Sequence, residues 1–226
     1  MRNLRFPALP LRFAPYGAIL NQPMNTQIIS ITIAGLALFV SFLTAWFTLF
    51  HKGAIKMTQP TVMFFGPDGR TGPPKIFLRT LLFSTARKGH VLENMYVKLR
   101  RNESVQNFNI WVCRDKADLV RGSGLFVGNE GIACDHHFLL PKDGTDYEFL
   151  QGEYSVKVFA SLMRVKNPVL LFTQKLFLSE EFAAEINNEK SGVYFDWGPD
   201  SKSYHSFLDK NPDKSLSVML RKDLGD

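Results

Sequence analysis

The stretch "ACDHHF" sets Cys134, Asp135, His136 and His137 side by side, four residues of types that ligate metals, with Cys113 as a further thiolate donor. A metal-dependent hydrolase needs about three such groups converging on one ion, with a position left open for water. Neighbouring residues of an extended strand point to opposite faces, so His136 and His137 reach one ion only if this segment is a loop. No second Cys or His pair stands at zinc-site spacing, and no cofactor is expected. Cys134, His136 and His137 are therefore metal candidates ranked below a plainer reading, one histidine satisfied near a core and the other exposed. Cys113 and Cys134 are two thiols without a disulfide framework, expected to stay reduced in a cytoplasm.

Other catalytic signatures are missing. "RGSGLF" around Ser123 lacks the outer glycines of a nucleophile elbow, and neither a phosphate-binding G-x-x-x-x-G-K-[ST] nor an H-E-x-x-H occurs. No catalytic residue is assigned. The sequon at Asn102 matters only in a secretory compartment.

What must position any such chemistry begins with an apolar segment. Residues 28–50 carry no charge, a run of 23 residues that makes roughly 34 Å of helix. That length spans a hydrocarbon core about 30 Å thick with modest tilt. A cleaved signal wants a shorter apolar run ending in small residues, whereas this one ends "AWFTLFHKG". Trp46, Phe47 and Phe50 beside His51 and Lys52 suit a membrane interface. Lys52 and Lys56 outweigh Arg12 near the span, with Arg2 and Arg5 further out, so the C-terminal part is expected on the cytoplasmic side.

Within the span, Ser30, Ala34, Ala37, Ser41, Thr44, Ala45 and Thr48 share one helix face, opposite Phe39, Phe42, Leu43, Trp46 and Phe50. Small side chains let helix backbones approach closely in lipid. This face implies a homo-oligomer or a subunit of a membrane complex.

Residues 1–27 hold three Arg, four Pro and no acid, and read as a disordered leader, or as an over-long start with Met24 as the alternative. Five of the six net positive charges lie in residues 1–56, which leaves +1 on the remaining 170. A near-neutral domain offers no concentrated basic face for nucleic acid. It is also long enough to bury a core of its own.

Its periodicity is that of strands. In "EYSVKVFASLM", Tyr154, Val156, Val158, Ala160 and Leu162 share one face, while Ser155, Lys157 and Ser161 share the other. Clusters such as "GPDGRTGPP", "RRNES" and "VKNP" supply the turns. Seven or more short strands so punctuated predict an all-β, antiparallel sandwich or barrel. The expected organisation is a juxtamembrane linker and first edge strand at 51–74, a sandwich core at 75–178, and a short helix and tail at 179–226. Ser179 is the expected N-cap of that helix, with Glu180 and Glu181 in its first turn.

"LQGEYSVKV" resembles the tyrosine corner of immunoglobulin-like domains, with Gly152 two residues before Tyr154. The resemblance implies an immunoglobulin-like β-sandwich in which Tyr154 is the structural corner, 153–163 is strand F and 169–178 strand G. It further implies that Trp111 acts as an inter-sheet core residue, like the strand C tryptophan of antibody domains. Val156 stands where those domains carry a cysteine, so no disulfide is implied.

Asp196, Trp197, Asp200 and Tyr204 form a candidate partner patch, since Trp and Tyr beside polar groups suit interface anchors. Two functions follow as expectations. The first is a single-pass, membrane-anchored β-sandwich that binds protein or assembles at the cytoplasmic membrane face; the alternative is a membrane-anchored enzyme using Cys134, His136 and His137.

Overall fold

The uncharged run and the alternating runs become two separate units in the computed structural model, residues 1–50 and 51–226. The structure describes residues 24–49, 53–69, 72–115, 118–122, 124–141, 146–189 and 191–210. The leader up to residue 23, the flanking His51 and Lys52, Ser123 and the tail from 211 lie outside the described residues.

The described part of the first unit is the helix α1 (Met24–Leu49), which starts four residues before the predicted span. Asn25–Thr48 is long and apolar enough to cross a membrane, with a mean hydropathy of 2.3. Its hydroxyls do not wait for outside partners. Ser30, Thr32, Ser41, Thr44 and Thr48 each donate to the carbonyl four residues back, at 2.8–2.9 Å, so each polar group is satisfied within the helix and tolerates an apolar surround.

The second unit is mostly antiparallel strand. In chain order it holds β1 (Ile55–Met57), β2 (Val62–Pro67), β3 (Pro74–Ser84), β4 (His90–Arg101), β5 (Ser104–Phe108), β6 (Ile110–Asp115), β7 (Asp118–Arg121), β8 (Leu125–Val127), β9 (Ile132–Leu139), β10 (Gly152–Leu162), β11 (Val169–Leu178), α2 (Glu180–Glu189), β12 (Gly192–Gly198) and β13 (Ser203–Asp209). The larger sheet runs β13-β12-β2-β3-β9-β6-β7 with β1 also on β3; the smaller runs β11-β10-β4-β5 with β8 also on β4.

The two sheets share one core. β10 alternates strictly, Tyr154, Val156, Val158, Ala160 and Leu162 buried and the residues between them not. Facing them from the larger sheet are Met63, Phe65, Ile76, Leu78 and Phe138, and the Phe65 ring meets the Tyr154 ring edge-on at 5.7 Å. Burying each such side chain stabilises by about 1.5–3 kcal/mol, which offsets the entropy of ordering the strands. α2 starts at its predicted cap: the Phe182 N–H donates to Ser179 Oγ at 3.2 Å.

Three elements sit differently from the sequence reading. "PTVMFF" becomes β2, which is no edge strand, because β3 pairs one side of it and β12 the other. The sheets extend beyond 75–178, taking in β1, β2, β12 and β13. Trp111 is buried in the core, but from β6 of the larger sheet; the neighbour of β10 is β4, which offers Met95, Val97 and Leu99 instead. Alternation marks a strand's buried face without naming its neighbour, so Trp111 was assignable to a core and not to a sheet.

Candidate functional site

β9 carries the metal-capable residues and is an interior strand, paired to β3 on one side and β6 on the other. Strand geometry therefore separates the two histidines. His136 lies opposite Leu78 and Cys113 on the core side, whereas His137 lies opposite Phe77 and Val112 on the outer face. Both are buried. Cys134 shares the core-side row with His136 and sits diagonally from Cys113; Asp135 shares the outer row with His137 and is held 3.8 Å from the Arg79 guanidinium. Among the described residues no three of these groups gather about a common point.

The core-side thiol and imidazole are both held in their uncharged forms. Burial pushes the Cys134 thiol up to about 11, with Cys113 and Asp135 adding to the effect, so it is protonated near neutrality and a poor nucleophile. Burial drives His136 down to about 4. Its Nδ1 accepts a hydrogen bond from Trp111 Nε1 at 3.1 Å, which puts the proton of the neutral ring on Nε2.

That arrangement has a pH consequence. His136 binds its proton more weakly folded than unfolded, so its contribution is complete above about pH 6.5 and is lost as pH falls toward 4. The expected loss is on the order of 3 kcal/mol across that window. His136→Gln keeps an acceptor for Trp111 and removes the titration. Urea midpoints of the detergent-solubilised chain should therefore fall less steeply between pH 6.5 and 4 in the variant than in the parent. Parallel curves would show that His136 is not the group responsible.

The corner tyrosine and Arg101 each donate one hydrogen bond to the same upstream loop. Tyr154 is fully buried, its hydroxyl donates to the Leu150 carbonyl at 2.6 Å, and Arg101 Nη1 donates to the Gln151 carbonyl at 3.3 Å. Gly152 adopts φ 133°, a conformation that side-chain-bearing residues rarely take.

The candidate partner patch is partly built into the fold. Trp197 pairs with Tyr204 across β12 and β13, their rings 5.0 Å apart. The Tyr204 hydroxyl donates to the Pro60 carbonyl at 2.7 Å and accepts from Gln59 Nε2 at 3.0 Å. Asp196 and Asp200 are exposed, and partial desolvation raises the Asp196 carboxyl. Tyr204 thus ties β13 to the chain before β2 and Trp197 packs its ring against it, which leaves the two acids to face solvent.

Sequence reading missed an aromatic row on the outer face of the larger sheet. Phe207, Tyr194, Phe64, Phe77 and His137 stand in register across five adjacent strands. Ring centroids lie 5.4 Å apart for Phe207–Tyr194, 4.8 Å for Tyr194–Phe64 and 4.8 Å for Phe77–His137. The only signal available was the "VMFF" and "GVYF" runs, which alternation assigns to strands without saying that they are neighbours. Clefts of about 200 and 360 Å³ open beside Tyr147 and Glu148, and none of Cys134, His136 and His137 lines either.

Compared with protein families, with curated proteins and with solved structures, the chain matches none of them.

Proposed function

We propose that the chain is a single-pass, membrane-anchored, immunoglobulin-like β-sandwich that binds protein or assembles at the cytoplasmic face of its membrane. The observation that carries this reading is the pairing of one apolar helix of membrane-spanning length with a separate two-sheet unit. Immunoglobulin-like connectivity is supported by strand order. β11-β10-β4-β5 follows the order G-F-C-C′ and β2-β3-β9-β6 the order A-B-E-D, while the Tyr154 hydroxyl reaches back to Leu150 at the start of the F-like strand. Against the enzyme alternative stand the divergent histidines and the protonated thiol.

Orientation rests on Lys52 and Lys56, which favour a cytoplasmic C-terminal unit. A C-terminal reporter enzyme that works only outside the cytoplasm should be inactive on the parent chain. It should gain activity when both lysines are changed to Glu. Strong activity on the parent would overturn the orientation. Self-association would use the small face from Ser30 to Thr48, where Ala34, Ala37 and Ala45 allow close backbone approach although the hydroxyls are already satisfied. A purely monomeric species on sedimentation in mild detergent would remove this part of the reading.

A further inference from the structure

Two turns and a short strand meet where β4 begins. Residues 85–89 lead into β4, and residues 163–168 join β10 to β11. The Met163 N–H donates to the Val91 carbonyl at 2.9 Å, and Val91 stands opposite Phe126 of β8. This end leaves apolar groups in solvent: Phe126 is 59% exposed, Met163 49%, Leu170 49% and Val165 46%. The Phe126 ring lies over Gly89, where a Cβ would come within 2.6 Å of it.

Four exposed cations, Arg87, Lys88, Arg164 and Lys166, occupy the same two turns. The nearest acids along the chain are Glu93, five residues after Lys88, and Glu153, eleven before Arg164. Arg164 is held at φ 67°, a left-handed conformation that glycine would take without strain.

Exposed apolar side chains interleaved with cations match the boundary between lipid headgroups and acyl chains, where apolar groups enter and cations meet phosphates. The covalent path brings this end within reach of such a surface. Gly53 backs onto Ala86, the Thr85 N–H donates to the Ala54 carbonyl at 2.9 Å, and the Ala54 N–H donates to Thr85 Oγ1 at 2.8 Å. A chain covers at most about 3.6 Å per residue, so the four steps from Leu49 to Gly53 cover at most about 14 Å. Gly53 is tethered by the chain within that reach of Leu49, and Ala86 of the 85–89 turn packs against Gly53.

We propose that the 85–89 and 163–168 turns, with Phe126, dock on anionic lipid headgroups of the membrane that α1 crosses. The inference rests on the anchor reading above, and its test separates the two. The full chain is reconstituted in nanodiscs of phosphatidylcholine alone or with phosphatidylserine added, and amide hydrogen exchange is followed by peptide. Exchange in 85–92 and 161–170 should slow several-fold in the anionic discs, return to the neutral-disc rate at high salt, and stay unchanged in 104–108.

Each Lys or Arg near an anionic surface strengthens adsorption about five-fold, so Arg87→Glu with Lys166→Glu should abolish the protection. Arg164→Gly should weaken it while leaving Tm unchanged or higher, which separates lipid contact from folding. Equal exchange in both discs, or protection confined to other strands, overturns the proposal. A chain that does not co-elute with the discs fails the anchor reading, and the docking proposal falls with it.

Discussion

Trp111→Ala should lower the unfolding free energy of the β unit by about 3–5 kcal/mol, the usual cost of removing a buried tryptophan. Trp111 is 1% exposed and belongs to the shared core. Its indole is enclosed on two sides. Gly122, whose N–H donates to the Trp111 carbonyl at 2.9 Å, lies so close that an added Cβ would come within 2.2 Å of the ring, and the Nε1–H donates to His136. Truncation therefore opens a cavity and also strips a buried imidazole of its donor. Trp111→Phe should cost less, because most of the ring volume survives. Urea unfolding read by near-ultraviolet circular dichroism gives both values. A loss under about 1 kcal/mol for the alanine variant would show that the indole is not a core group.

A chain ending at Glu189 should not reach the native fold. Its loss takes away β12 and β13, and with them the buried Val193, Tyr194 and Phe195. At about 1.5–3 kcal/mol each, these three alone approach the 5–15 kcal/mol that typically holds a domain together. The damage extends to what remains. β2 loses its partner along Val62–Phe65, and Phe65 loses the Phe195 ring 5.1 Å away. An open apolar strand edge invites aggregation. The expected result is a chain without native near-ultraviolet signal and with rapid amide exchange in β2 and β3. A native spectrum in the shortened chain would show that the C-terminal strands merely decorate a complete sandwich.

The two expected results separate what was legible in the residues from what was not. The membrane-length helix follows from 23 consecutive uncharged residues, because length and hydropathy are properties of a local run. β10, β11 and α2 were legible for the same reason: alternation, the turn at "VKNP" and the Ser179 cap act within a few residues. The segment after Gly198 escaped this reading. "PDSKSYHSF" reads as a turn that leads into a polar tail, yet Ser203–Asp209 pairs along all of β12.

Residue types along the chain determined that this is a β protein behind an apolar helix, and that "ACDHHF" holds groups able to do chemistry. Only the tertiary structure decided what those groups meet. By setting β9 between β3 and β6 it sent His136 to Trp111 and His137 to Phe77, and by laying β12 on β2 it turned an edge strand into an interior one. The division has a physical basis. Side-chain alternation has period two and fixes that a strand has two faces, but the ladder bonds that choose its neighbours are made by backbone groups common to every residue, so pairing is settled by the packing of distant segments into one core.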